Sequence, residues 1–265
     1  MDLIDSHCHL TFSPLVEDIE QVIRRSRAAG VTAWVTVGTD LAHCMRAIEL
    51  ADQTPNLYAA VGIHPHEAAG ATDDGFQRLA HLVGARRKVL AIGETGLDFH
   101  YRHSPADDQV RTFTRHLDLA ARLGLPLIVH SREAFDRTVE IIEPYRRDVH
   151  PIVFHCFTGT IGEARLAIDR GFFLSFSGVV TFKSATDVQQ AARVVPLDRV
   201  LIETDCPYLS PEPMRRQKVN EPALLVHTAR FMARLRGMEV EAFAKAVADN
   251  TTRFYRLPPG SPSQQ

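Results

Sequence analysis

His7 and His9 stand two residues apart in the run Leu3-Ile4-Asp5-Ser6-His7-Cys8-His9. Side chains two apart on a strand share a face, so the two imidazoles would project together and could chelate a cation. Further along, other metal-capable residues close apolar runs: Glu94 after Val89 to Gly93, His130 after Leu127 to Val129, His155 after Ile152 to Phe154, and Asp205 after Leu201 to Thr204. Any one of these could be an ordinary polar strand end, but the repetition is harder to dismiss. Four imidazoles and two carboxylates suit a pair of divalent cations, with one carboxylate bridging and one position left for water. A carboxylated lysine, which could also bridge two ions, is not on offer: Glu94 closes its apolar run, and the nearest lysine, Lys88, sits at the start of that run.

Other polar residues fall beside these. His64, in Ile63-His64-Pro65-His66, ends a third strand and could touch a substrate phosphate, with His66 a weaker candidate. Arg132 lies two residues beyond His130, and a planar guanidinium matches phosphate oxygens; the bland alternative is a salt bridge to a neighbour such as Glu133. Asp5 and Glu203 share the parity of the ligands one step deeper, where a carboxylate could orient a metal-bound imidazole through its other nitrogen. Asp98 is either a cap or a rim residue. Cys8, Cys156 and Cys206 have the opposite parity and read as small buried fillers.

Positioning these residues requires elements that alternate. Short apolar runs recur before longer segments of helical spacing, the signature of βα units and a parallel sheet. Strands are expected near Leu3–His9, Val31–Gly38, Leu57–His64, Lys88–Glu94, Pro126–His130, Pro151–His155, Gly171–Phe176 and Arg199–Thr204. Helices are expected at Leu15–Ala29, Leu41–Gln53, Ala106–Leu123 and Glu133–Glu143, with Gly30 and Gly124 as stops. Asn220 is expected to cap a helix opened by Glu221 and Pro222 and running to about Arg236, before a last helix over Val240–Tyr255. The reading is an α/β chain folded as a (β/α)8 TIM barrel. Residues 1–257 would form one catalytic domain, followed by a flexible tail at 258–265. A doubly wound sheet is second, because no GxGxxG follows the first strand.

Composition narrows the classes. The 265 residues leave room for one large domain, and 45% hydrophobic with 23% charged residues excludes bulk disorder. Thirty Lys and Arg against 32 Asp and Glu leave a formal charge of -2, so nucleic-acid contact would be local rather than a broad basic field. Four cysteines without a CxxC pair do not make a disulfide framework, and no apolar run is long enough to span a bilayer. A soluble, cytoplasmic chain with no membrane partner is expected.

Taken together, Asp5-Ser6-His7-Cys8-His9-Leu10, Gly93-Glu94-Thr95-Gly96-Leu97-Asp98, His130-Ser131-Arg132, His155-Cys156-Phe157 with Gly159, and Glu203-Thr204-Asp205-Cys206-Pro207-Tyr208-Leu209 resemble the motifs of the TatD family of metal-dependent hydrolases, in order from residue 4 to about 222. The resemblance implies a (β/α)8 TIM barrel of the amidohydrolase-like, metal-dependent hydrolase kind, with a divalent-metal phosphodiesterase site, described as a deoxyribonuclease. It also implies that His7 and His9 hold one metal with Asp205, that His130 and His155 hold the other, and that Glu94 bridges them. Asn220-Glu221-Pro222 is similar to the family's RN-x-P segment, but Val219 stands where the arginine is expected, leaving Arg215 or Arg216 to replace it.

The chemistry expected is attack on a DNA phosphodiester, at an end or in a single strand, by water activated at two divalent ions (Zn, Mn or Mg), with Asp205 taking the proton and Glu94 bridging. A metal-dependent hydrolase of an ester or amide, including an aminoacyl-tRNA ester, is the second reading. A noncatalytic metal-binding barrel is the third.

Overall fold

The computed structural model describes residues 1–84 and 87–258. Its strands are β1 (Leu3–Cys8), β2 (Val31–Val37), β3 (Leu57–Val61), β4 (Val89–Asp98), β5 (Leu127–Arg132), β6 (Ile152–Phe154), β7 (Phe173–Phe176) and β8 (Val200–Ile202), forming one sheet in sequence order. Between and after them come α1 (Ile19–Ala28), α2 (Leu41–Gln53), α3 (Asp73–Gly84), α4 (Ala106–Leu123), α5 (Phe135–Ile142), α6 (Ile161–Asp169), α7 (Thr186–Val194), α8 (Leu225–Leu235) and α9 (Val240–Tyr255). The last strand region returns to the first: the Asp205 N–H donates to the His7 carbonyl at 3.0 Å, and the His9 N–H to the Cys206 carbonyl at 2.8 Å. Eight strands in chain order that close in this way make the (β/α)8 barrel the alternation predicts.

The described residues divide into two compact units. The first joins residues 1–36 to the chain from Cys156 onward. In it β1 pairs in parallel with β2 and β7 with β8, and β1 is buried along its whole length. Burial on both faces is why these strands read as continuous apolar runs. Helix α9 anchors the strands. The Tyr255 hydroxyl donates to the Ser6 carbonyl at 2.8 Å, and the Asn250 amide to the Val200 carbonyl at 2.9 Å.

The second unit, Val37–His155, contains parallel β3, β4, β5 and β6. Strand β4 runs ten residues, past Glu94 to Asp98, through a register shift between Ile92 and Thr95. Such an irregularity bends a strand and re-aims its side chains. Gly96, opposite His130 in the register, has φ of +140°, and a Cβ there would collide with the His130 carbonyl. Glycine is therefore what allows β4 and β5 to meet at a candidate ligand.

Several expected boundaries move. Helices α2, α4 and α9 stand as the periodicity and stop signals predict. Strand β8 ends at Ile202, so Glu203, Thr204 and Asp205 lie on a loop, with Asp205 at φ +54°. Asn220 is not a helix cap. Its buried amide donates to the Thr204 carbonyl at 2.9 Å and the Tyr208 carbonyl at 2.6 Å, while the helical turn that precedes α8 starts at Pro222 without a side-chain cap. Stapling the β8 loop satisfies two carbonyls, that of buried Thr204 among them, which outweighs a local cap. The expected flexible tail at 258–265 lies, except for Pro258, outside the described residues. No helix among the described residues is long and apolar enough to cross a membrane.

Candidate metal centre

In the first unit, His7 and His9 lie on and just after β1 and Asp205 on the loop after β8, joined by the two backbone hydrogen bonds that tie these segments together. The His7 and His9 Nε2 atoms are 3.2 Å apart, and Asp205 Oδ1 lies 3.8 Å from the first and 3.4 Å from the second. Donor atoms about 2.1 Å from a tetrahedral ion are about 3.4 Å from each other. The three atoms have that spacing, and two imidazole nitrogens with one carboxylate oxygen form a donor set that divalent transition ions accept. The His9 ring stacks on Phe12, with centroids 4.9 Å apart.

Behind them, Asp5 accepts from the Thr204 N–H at 2.9 Å and hydroxyl at 2.6 Å, and from the His7 N–H at 3.4 Å. It fixes backbone rather than an imidazole, which differs from the orienting role the parity predicts. Burial pushes its carboxyl up to about 7 against the lowering effect of the Thr204 bonds, with the nearby Glu203 charge raising it further. Glu203 accepts from the Cys156 N–H at 2.6 Å. Cys8 and Cys206 are fully buried, and burial first, then contact with Cys206, pushes the Cys8 thiol well up, as suits an inert filler.

In the second unit, Glu94 and His155 meet at 2.7 Å (Oε2 to Nε2), and His155 Nε2 lies 3.2 Å from His130 Nδ1. Glu94, His130 and His64 also offer donor atoms close enough for one ion. The tautomer separates their roles. His64 Nδ1 accepts the His66 N–H at 3.0 Å, so in the neutral ring the proton sits on Nε2, which lies 3.7 Å from Glu94 Oε1. Burial holds the His64 ring well below its ordinary pKa, outweighing the opposing pull of Glu94. A neutral N–H donor suits a phosphate oxygen better than it suits a cation.

Two residues that the sequence reading left without a role hold this cluster. Asp98 is buried on β4 with Oδ2 2.8 Å from His66 Nε2 and 3.4 Å from His130 Nε2, while Oδ1 accepts the His100 and Tyr101 N–H groups. Burial works to raise its pKa, but His130, the Tyr101 N–H and His66 together hold the carboxyl well below the usual range. His116, fully buried in α4, takes the Ile63 N–H on Nε2 at 3.0 Å, and its Nδ1 lies 2.7 Å from the Thr112 carbonyl and 3.1 Å from the Thr95 hydroxyl. It thereby ties the residue before His64 to the residue after Glu94. Burial lowers its pKa to about 4.

Arg132 makes no ion pair with Glu133. Its guanidinium lies 5.0 Å from the Tyr101 ring centroid, and Glu133 Oε1 is instead 2.7 Å from His100 Nδ1. Arg215 packs over Phe182 at 3.9 Å.

A barrel whose strand ends carry such clusters defines a metal-dependent hydrolase. The chain matches the family model described as TatD related DNase over residues 4–256, and it belongs to the TatD family. It is 38% identical to the metal-dependent hydrolase YabD of Bacillus subtilis (strain 168), over 96% of this chain and 99% of that one. It is 34% identical to the 3'-5' ssDNA/RNA exonuclease TatD of Erwinia billingiae, over 97% and 100% respectively. Among solved structures, the TatD homolog YJJV of Escherichia coli K12 superposes with a TM-score of 0.91 at 28% identity, covering 97% of this chain and 98% of that one.

Proposed function

We propose that the chain hydrolyses phosphodiester bonds in single-stranded nucleic acid, most readily DNA and from an end, using two divalent cations. His7, His9 and Asp205 would hold one, His130 and His155 the other, and Glu94 would be shared. When bound, the cations lower the pKa of a coordinated water towards about 7 and neutralise charge on the phosphoryl group. The protein's own groups do the rest. Asp205, a carboxylate only partly exposed, accepts a proton from the attacking water. His64 donates a hydrogen bond from its Nε2–H to a phosphate oxygen. Arg132, two residues past His130, reaches a second phosphate oxygen. Asp98 keeps the His130 ring from turning.

The observation that carries this reading is the spacing of donor atoms within each cluster: 3.2 to 3.8 Å around His7, His9 and Asp205, and 2.7 to 3.2 Å along Glu94, His155 and His130. The exonuclease name of the Erwinia relative supports the substrate class. The test is hydrolysis of an end-labelled single-stranded oligodeoxynucleotide by protein reconstituted with Mn2+ or Zn2+. Shortening of the strand that EDTA abolishes and added metal restores is expected. Equal shortening with the chelator present, or none with any divalent ion, would overturn the proposal.

A further inference from the structure

Within the second unit, a row of aromatic rings leads from the buried cluster to the surface. Ring centroids are 4.6 Å apart from His130 to His64, 4.3 Å from His64 to His66, 4.5 Å from His66 to His103, and 5.8 Å from His103 to Tyr101. Tyr101 and His103 are parallel to within 8°. Tyr101 is 53% exposed, so one face of its ring is open to solvent. The loop that carries it is not slack. Asp98 accepts its backbone N–H, the Ser104 hydroxyl donates to the His66 carbonyl at 2.7 Å, and the Arg132 guanidinium lies over its ring. An exposed ring held in place by a buried carboxylate, flanked by a parallel imidazole and a cation, has the make-up of a surface for stacking a flat, electron-rich group.

We infer that Tyr101 and His103 form a stacking platform for the nucleobase nearest the phosphate held at His64, with Arg132 contacting the backbone beside it. The inference rests on the phosphodiesterase reading above and adds to it the part of the substrate that is recognised. Every base has a π-face, so this platform favours unpaired strands without selecting sequence, and a duplex, whose bases are already stacked, is a poorer substrate.

The test is a cycle between protein and substrate. The kcat/KM of wild type and Tyr101→Ala is measured on a single-stranded oligothymidylate, and on the same strand with an abasic residue at the nucleotide beside the scissile phosphate. Either change alone is expected to lower kcat/KM about tenfold, with both together costing little more than one, because the same contact is removed twice. Tyr101→Trp should retain wild-type values on the intact strand, which separates stacking from damage to the loop. Additive losses, or no loss in Tyr101→Ala, in an enzyme that cleaves the intact strand would overturn the platform alone. A wild type that cleaves neither strand would overturn the phosphodiesterase reading and the platform with it.

Discussion

The two clusters are built in different ways. In the first unit, His7 and His9 stand on one backbone, pinned to the β8 loop by main-chain hydrogen bonds, and the carboxylate behind them, Asp5, binds Thr204 and main chain. In the second, Glu94, His130 and His155 come from three strands, and side chains hold them: Asp98 on His130 and His66, and His116 between Ile63 and Thr95. Two adjacent ligands on one strand need only the right strand. Ligands gathered from several strands need a supporting set of polar side chains, and that set is where the second cluster is vulnerable.

The largest effect should come from removing the carboxylate proposed to be shared by the cations. Glu94→Ala is expected to lower phosphodiester turnover by more than about 100-fold, beyond the range for losing a partner that only orients a ligand. Steady-state rates at saturating Mn2+ check this.

Acid should strike the second cluster through His116. Its folded pKa, about 4, lies below the unfolded value of 6.5, so its neutral form contributes stability that is fully present above 6.5 and is lost as pH falls towards 4. A shift of this size corresponds to up to about 3 kcal/mol of unfolding free energy. Urea unfolding between pH 7 and pH 4 should show the decline, and His116→Gln should be less stable at pH 7 with a flatter dependence.

Loss of Asp98 comes next. Asp98→Ala is expected to weaken metal binding or turnover about 10- to 100-fold, with Asp98→Asn milder, as metal titration by calorimetry would show. The smallest change is expected on the other side of the comparison. Phe12→Ala removes the ring beneath His9, a contact worth about 1 kcal/mol, and should weaken metal binding only a few-fold. A Phe12 effect as large as that of Asp98 would erase the distinction between the clusters.

The candidate ligands were legible as polar residues at or just past the ends of apolar runs, a contrast that survives small errors in strand boundaries. Asp98 was not, because β4 continues four residues past Glu94 through a bulge and two glycines at positive φ, Gly93 and Gly96, which an alternating pattern does not anticipate. His116 sits in α4 among residues read only for their helical period, and its distant partners, Ile63 just after β3 and Thr95 on β4, lie on other elements. Asn220 carried a local signal, an amide before Glu-Pro, that pointed to a cap, and a tertiary demand overrode it. The ring row from His130 to Tyr101 joins three segments far apart in sequence, so no single motif spacing encodes it.

His7, His9, Asp205, Glu94, His130 and His155 are proposed to share a pair of divalent ions. Anomalous diffraction from crystals soaked in Mn2+ tests it most directly. Two peaks, one bounded by His7, His9 and Asp205 and the other by His130 and His155, with Glu94 touching both, are predicted. A single peak away from Glu94, or ions bound by none of these side chains, would contradict it.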